Sequence, residues 1–199
     1  MDEILFFLPS ILSSLLVALL AVKFDRWLAE KNELNSILSG IGFEIAENIS
    51  VARTIAKQAE DGIKTLQSTK HPFAPFPTFS DWAYFQAKNS NAFLNFVVKE
   101  KTGLARELVK NLHECYHAIR LVNHMMETIQ QVKVEIMLHG RPREYGEQVF
   151  ATTKKTIEEA IEPQLIKALL LLEQVEPKLH RIVSLFSKIS TNQNAKAVK

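Results

Sequence analysis

The sequence predicts an all-α protein, with a single N-terminal transmembrane helix continuing into a cytoplasmic, antiparallel helical bundle. Three observations carry this expectation. Residues Ile4 to Val22 contain no charge, and thirteen of the nineteen are Leu, Ile, Phe or Val. Beyond Leu34 the apolar residues recur at steps of three and four, the period of a helix with one buried stripe. Only six glycines interrupt 199 residues, and four of the seven prolines lie no further along than Pro77.

Taken in order, the first element is the uncharged run. As a helix it spans roughly 28 Å at about 1.5 Å per residue, close to the thickness of a hydrocarbon core. The acidic flank Met1-Asp2-Glu3 is the reverse of a secretory signal's basic n-region. Lys23, Arg26 and Lys31 follow the run, and no Lys or Arg precedes it. The positive-inside rule then places the N-terminus outside and the remainder in the cytoplasm of a plasma (inner) membrane. Phe24 and Trp27 stand where interfacial aromatic anchors belong. Ser10, Ser14, Ala18 and Ala21 share one stripe of the helix, a surface on which neighbouring spans can pack closely and make an oligomer. Pro9 is expected to bend or cap the outer end.

The expected organisation is an anchor with its interfacial flank over 1–27, a helical domain over 28–189 with a proline-rich connector at 70–81, and a disordered tail over 190–199. No proline occurs between Pro9 and Pro72, so the first helix is expected to continue far past the membrane. Its stripe is Leu34, Leu38, Ile41, Ile45, Ile49, Ala52, Ile55, Ala59, Ile63 and Leu66. Gly40 and Gly42 mark a local weakening, and Glu44, Glu47, Arg53, Lys57 and Glu60 read as a solvated face.

The connector favours extended backbone through Pro72, Pro75 and Pro77. Phe73, Phe76 and Phe79 recur every third residue and are expected to clip it to the bundle. Thr78 or Ser80 is positioned to cap a short helix carrying Trp82, Tyr84 and Phe85. Another short apolar helix follows Asn89-Ser90-Asn91. The next is long, with a core face of Leu104, Leu108, Leu112, Cys115, Ile119, Val122, Met126 and Ile129, and it stops at His139-Gly140-Arg141-Pro142. A last helical region starts near Glu144. Glu-Pro recurs at Glu162 and Glu176, so EPQLIKALLLL aligns with EPKLHRIVSLF, and each proline suits a first helical turn or a kink.

Composition excludes several function classes. Lys plus Arg number 24 against 22 Asp plus Glu, too even a balance for a general nucleic-acid binder. The single Cys115 rules out an internal disulfide framework. Phosphate-binding loops, dinucleotide fingerprints, nucleophile elbows and paired cysteines are absent from the sequence.

One polar constellation remains. Arg106, His113, His117, Arg120 and His124 fall in a narrow sector of the long helix, opposite its core stripe. It reads first as a solvated or oligomer-facing surface. His113-Glu114-Cys115-Tyr116-His117 also satisfies the H-E-x-x-H pattern, in which His113 and His117 would bind zinc and Glu114 would activate its water. No strand precedes this helix to support a substrate, and Glu144, Glu147 and Glu158 are the candidate third ligands. Arg106-x6-His113 resembles the R-x4–6-H motif of the helical HEPN nucleases, a resemblance confined to that motif and the all-α class. It implies RNA cleavage across a dimer, with His113 as acid or base and Arg106 stabilising phosphate charge.

The leading expectation is a membrane-anchored, oligomeric interaction or assembly module without a cofactor, whose partners are the bilayer, further copies of itself and other proteins. A pore-like membrane effector and an enzyme using the Arg106–His124 face are the alternatives.

Overall fold

The computed structural model describes residues 2–67, 75–99, 103–139 and 143–175, and side chains over 13–66, 75–98, 103–131 and 144–175. The protein is all-α, with no strand among the described residues. Helix α1 (Asp2–Gln67) runs for 66 residues, about 99 Å at 1.5 Å per residue. The absence of proline after Pro9 is what lets it continue. Gly40 and Gly42 do not interrupt it.

The two halves of α1 meet different surroundings. Residues 13–33 are exposed throughout. From Leu38 onward Ile41, Ile45, Ile49, Ala52, Ile55, Ala59 and Leu66 are buried, with Leu34 and Ile63 partly covered. That stripe is the one the three-and-four spacing predicts. It packs chiefly on α5 (Arg143–Thr156) and α6 (Glu162–Val175), which are joined by a π turn over Ile157–Ile161.

This second strand of the bundle runs antiparallel to α1. Phe150 lies against Gly62, Lys154 pairs with Glu60, Arg53 pairs with Glu162, and Val175 reaches the level of Leu34 and Leu38. The π turn has a local cause. Pro163 lacks an N–H, and its ring would press on the carbonyl of Glu159 in a regular helix, so the wider turn takes up the ring. Ile157 and Ile161 remain buried across it. Gly62 permits a close approach, because a Cβ there would stand 3.2 Å from the Phe150 ring.

Helix α4 (Gly103–His139) crosses α6 with Leu108, Leu112, Cys115, Ile119, Val122, Met126 and Ile129 buried and Leu104 partly so. Short helices α2 (Trp82–Ala87) and α3 (Asn91–Lys99) fill the space between α1 and α4. Phe76 and Phe79 of the connector are buried, Phe76 with its ring 6.2 Å from Phe150, so the aromatic clip forms as expected.

Several expectations concern residues outside the described ones: connector residues 70–74, the stop at Gly140–Pro142, the second Glu-Pro segment and the tail over 190–199. Among the described residues no helix is long and apolar enough to cross a membrane. Side chains 4–12 of the expected span, Ser10 included, lie outside the described set, and the fold does not support a transmembrane helix at Ile4–Val22.

One expectation needs correction. Glu44 does not belong to a solvated face; it is 5% exposed and sits at the centre of a polar cluster.

Candidate functional site

Two groups of polar side chains stand out, one buried and one exposed. The buried group begins where the connector must pass over α1. A chain segment at 75–81 with no secondary structure presents N–H and C=O groups that burial would leave without water, so each needs a partner from the protein. Two asparagines supply them in the same way. The Asn48 amide donates to the Ser80 carbonyl at 2.7 Å and accepts from the Ser80 N–H at 2.8 Å. From the other side, the Asn123 amide donates to the Phe79 carbonyl and accepts from the Phe79 N–H, both at 2.9 Å. Each side-chain amide thus stands in for a neighbouring backbone, holding the connector between α1 and α4.

Glu44, four residues before Asn48, caps the helix that follows. The first N–H groups of α2 have no partners within the helix. Asp81 occupies the N-cap position without a side-chain cap bond. Instead, Glu44 Oε2 accepts from the Ala83 N–H at 2.7 Å and from the Ser80 hydroxyl at 2.7 Å. Its Oε1 accepts from the Tyr116 hydroxyl at 2.6 Å and the Tyr84 N–H at 3.4 Å. Ser80, the expected cap, contributes only a long 3.5 Å contact to the Trp82 N–H. Asp81 is left to pair with Arg120 at 2.7 Å.

The chemistry of this cluster is closed. A carboxylate offers about four lone-pair sites, and Glu44 fills them with four protein donors. Tyr116 is stacked on Tyr84, ring centroids 4.3 Å apart, and burial followed by the nearby Glu44 charge pushes its phenol well above the ordinary range. Burial likewise raises Tyr84. Both phenols therefore stay protonated, and Tyr116 acts as a donor. Cys115, beside them, is pushed up to about 12 by burial and is a poor thiolate.

The exposed group is the face of α4 singled out in the sequence. Arg106, His113, Glu114, His117, Arg120 and His124 are all exposed. Their partners are local or unrelated to a reaction centre: Glu114 lies 3.8 Å from Lys110, His124 3.5 Å from Glu127, and Arg120 binds Asp81. The sector is exposed, on the side of α4 opposite its core stripe. It brings His113 and His117 onto one surface, yet no group of three or more His, Cys, Asp or Glu that could hold a metal ion exists among the described residues. Glu144 and Glu158 are exposed on the neighbouring helical segment, Glu158 within 3.9 Å of Lys154.

The proposed packing residues Ser14, Ala18 and Ala21 and the interfacial pair Phe24 and Trp27 lie on the exposed half of α1. Phe24 and Trp27 face each other at 5.7 Å, and the Lys31 ammonium sits 5.2 Å over the Trp27 ring. Sequence reasoning missed Glu44, Asn48, Tyr116 and Asn123. A signal for the first two was present: polar residues four apart, each directly preceding a member of the apolar stripe (Ile45 and Ile49), flank a face that something must cover.

Comparison with protein-family models, with curated proteins and with solved structures gives no match.

Proposed function

We propose that the chain is a membrane-anchored helical interaction module that works as an oligomer, with residues 1–27 as anchor and flank and the bundle within 28–189 held on the cytoplasmic side. The observation that carries this reading is the exposed half of α1. Leu15, Leu16, Val17, Leu19, Leu20, Val22, Phe24 and Trp27 are each about half or more exposed; they occupy about 220° of the helix, and the exposed Ala18 and Ala21 take the remaining side, so no face is polar between Leu15 and Val22. A helix apolar all round requires an apolar surrounding, and the bundle meets this stretch only at its end, where Trp27 lines a cleft with Leu38, Phe96 and Val175. Lipid on the outside and a second copy along Ser14, Ala18 and Ala21 together meet that need.

The saturated Glu44 cluster and the open histidine face weigh against the zinc and HEPN-like enzyme readings. Neither offers a reacting group held against a second one in an enclosed space. The module reading is tested by solubilising the full chain from membranes and sizing it in mild detergent. An oligomer without bound zinc is the expected result. A monomer removes the assembly role, and stoichiometric zinc lost on His113→Ala or His117→Ala restores the enzyme.

A further inference from the structure

We infer that residues 178–186, directly beyond α6, dock as a further helical segment in the cleft between α1 and α3, so that the pairing of α1 with α6 carries on as far as Trp27. The cleft has a volume of about 410 Å3. Trp27, Lys31, Leu34 and Leu38 of α1 line it, with Phe96 of α3 and with Val175, the last residue of α6. The four α1 positions repeat at steps of four, three and four. They are therefore the N-terminal continuation of the stripe that α5 and α6 cover from Leu38 onward. Beyond Leu38 that stripe is less well covered: Leu34 is partly buried and Trp27 is 53% exposed.

The established register says which residues meet there. Glu60 pairs with Lys154 and Arg53 with Glu162, so each step back along α1 matches one step forward along its partner. Val175 reaches the level of Leu38 in this register and shares the cleft with it. Counting on residue for residue sets Leu179 opposite Leu34, Ile182 opposite Lys31 and Phe186 opposite Trp27. The same side is apolar by repetition. Leu165, Ala168, Leu171 and Leu172 are the buried residues of α6, and fourteen positions later stand Leu179, Ile182, Leu185 and Phe186. Fourteen residues make nearly four helical turns, so a helix there presents these four to α1 within about 40° of the α6 direction. Pro177 suits the first turn of such a helix. Phe186 would cover the Trp27 ring, whose other neighbour is the Lys31 ammonium 5.2 Å away. A segment tethered at Val175 also reaches the cleft without the loss of translational freedom that a separate partner bears, which favours it over a second copy. Docked, it braces the point where the exposed half of α1 leaves the bundle, whatever surrounds that half.

The test uses the full chain in mild detergent, with Cys115 left in place because it is 2% exposed and its thiol is pushed up to about 12. Lys31→Cys and Ile182→Cys are combined and oxidised with copper–phenanthroline. The control joins Ile182→Cys to Ala29→Cys, an exposed position on the far side of α1. The first pair is expected to close a disulfide within one chain several-fold faster than the second. Trypsin is expected to cut after Arg181 several-fold more slowly than after Lys196, and Phe186→Asp should remove that difference with helical circular dichroism unchanged. Equal closure from positions 31 and 29, or Arg181 cut as fast as Lys196 in the unaltered chain, overturns the docking. Disulfides that form only between chains also overturn it, in favour of a second copy in the cleft.

Discussion

The two halves of α1 are made of similar residues and end in opposite environments. Between Leu38 and Leu66 the apolar side chains keep to one stripe and are buried or partly covered within the bundle, chiefly on the side of α5 and α6. Between Leu15 and Leu28 they surround the helix and remain exposed. Hydrophobic content alone therefore does not decide burial; angular distribution does. A striped helix can satisfy itself within its own bundle, while an all-round apolar one must look outside the chain.

That contrast predicts a graded set of substitution effects. The largest belongs to Glu44→Ala, which leaves the Ser80 and Tyr116 hydroxyls and two α2 N–H groups without their acceptor. Urea unfolding of the full chain in detergent should show a loss of about 3–4 kcal/mol. Ile45→Ala, a fully buried neighbour on the same helix, should cost about 3 kcal/mol through its cavity. Tyr116→Phe, which removes one donor from Glu44 and keeps the stacked ring, should cost about 1.5 kcal/mol. In the other half, Leu20→Ser should change bundle stability by less than about 0.5 kcal/mol while weakening membrane association. Equal losses at Ile45 and Leu20 would erase the distinction between the halves.

The smallest effect sharpens the picture at the far end of α1. Hydrogen bonds first from Lys154 and then from Lys64 hold Glu60 at about 2, below its ordinary 4.5. A depressed carboxylate adds stability above its unfolded value, and that contribution disappears as pH falls from about 4.5 toward 2. Lys154→Gln should therefore move the Glu60 titration part of the way back toward 4.5 by carboxyl-carbon NMR, with Lys64 retaining the rest. An unchanged titration would mean that Lys154 contributes nothing in solution.

The elements most legible in sequence were those governed by periodicity. The α1 and α4 core stripes, the connector's Phe76 and Phe79 clip and the burial of Cys115 follow from local spacing and appear as expected. The outward direction of Arg106, His113, His117, Arg120 and His124 was legible for the same reason. What spacing could not express was pairing across long separations. The place of Glu44 beside the stripe hints at burial, but its partners arrive from far along the chain, 36 residues later at Ser80 and 72 later at Tyr116. The ring contact at Gly62 is likewise a product of tertiary packing rather than of local preference.

The most direct test of the account is flotation of the full chain with phosphatidylcholine–phosphatidylglycerol vesicles after an alkaline wash. The account predicts that the chain floats with the lipid. A variant carrying Leu15→Ser, Leu16→Ser, Leu19→Ser and Leu20→Ser should stay at the bottom of the gradient with its helical circular dichroism preserved. A full-length chain that remains below the vesicles, monodisperse without detergent, would contradict the membrane anchor and leave the exposed half of α1 to a protein partner.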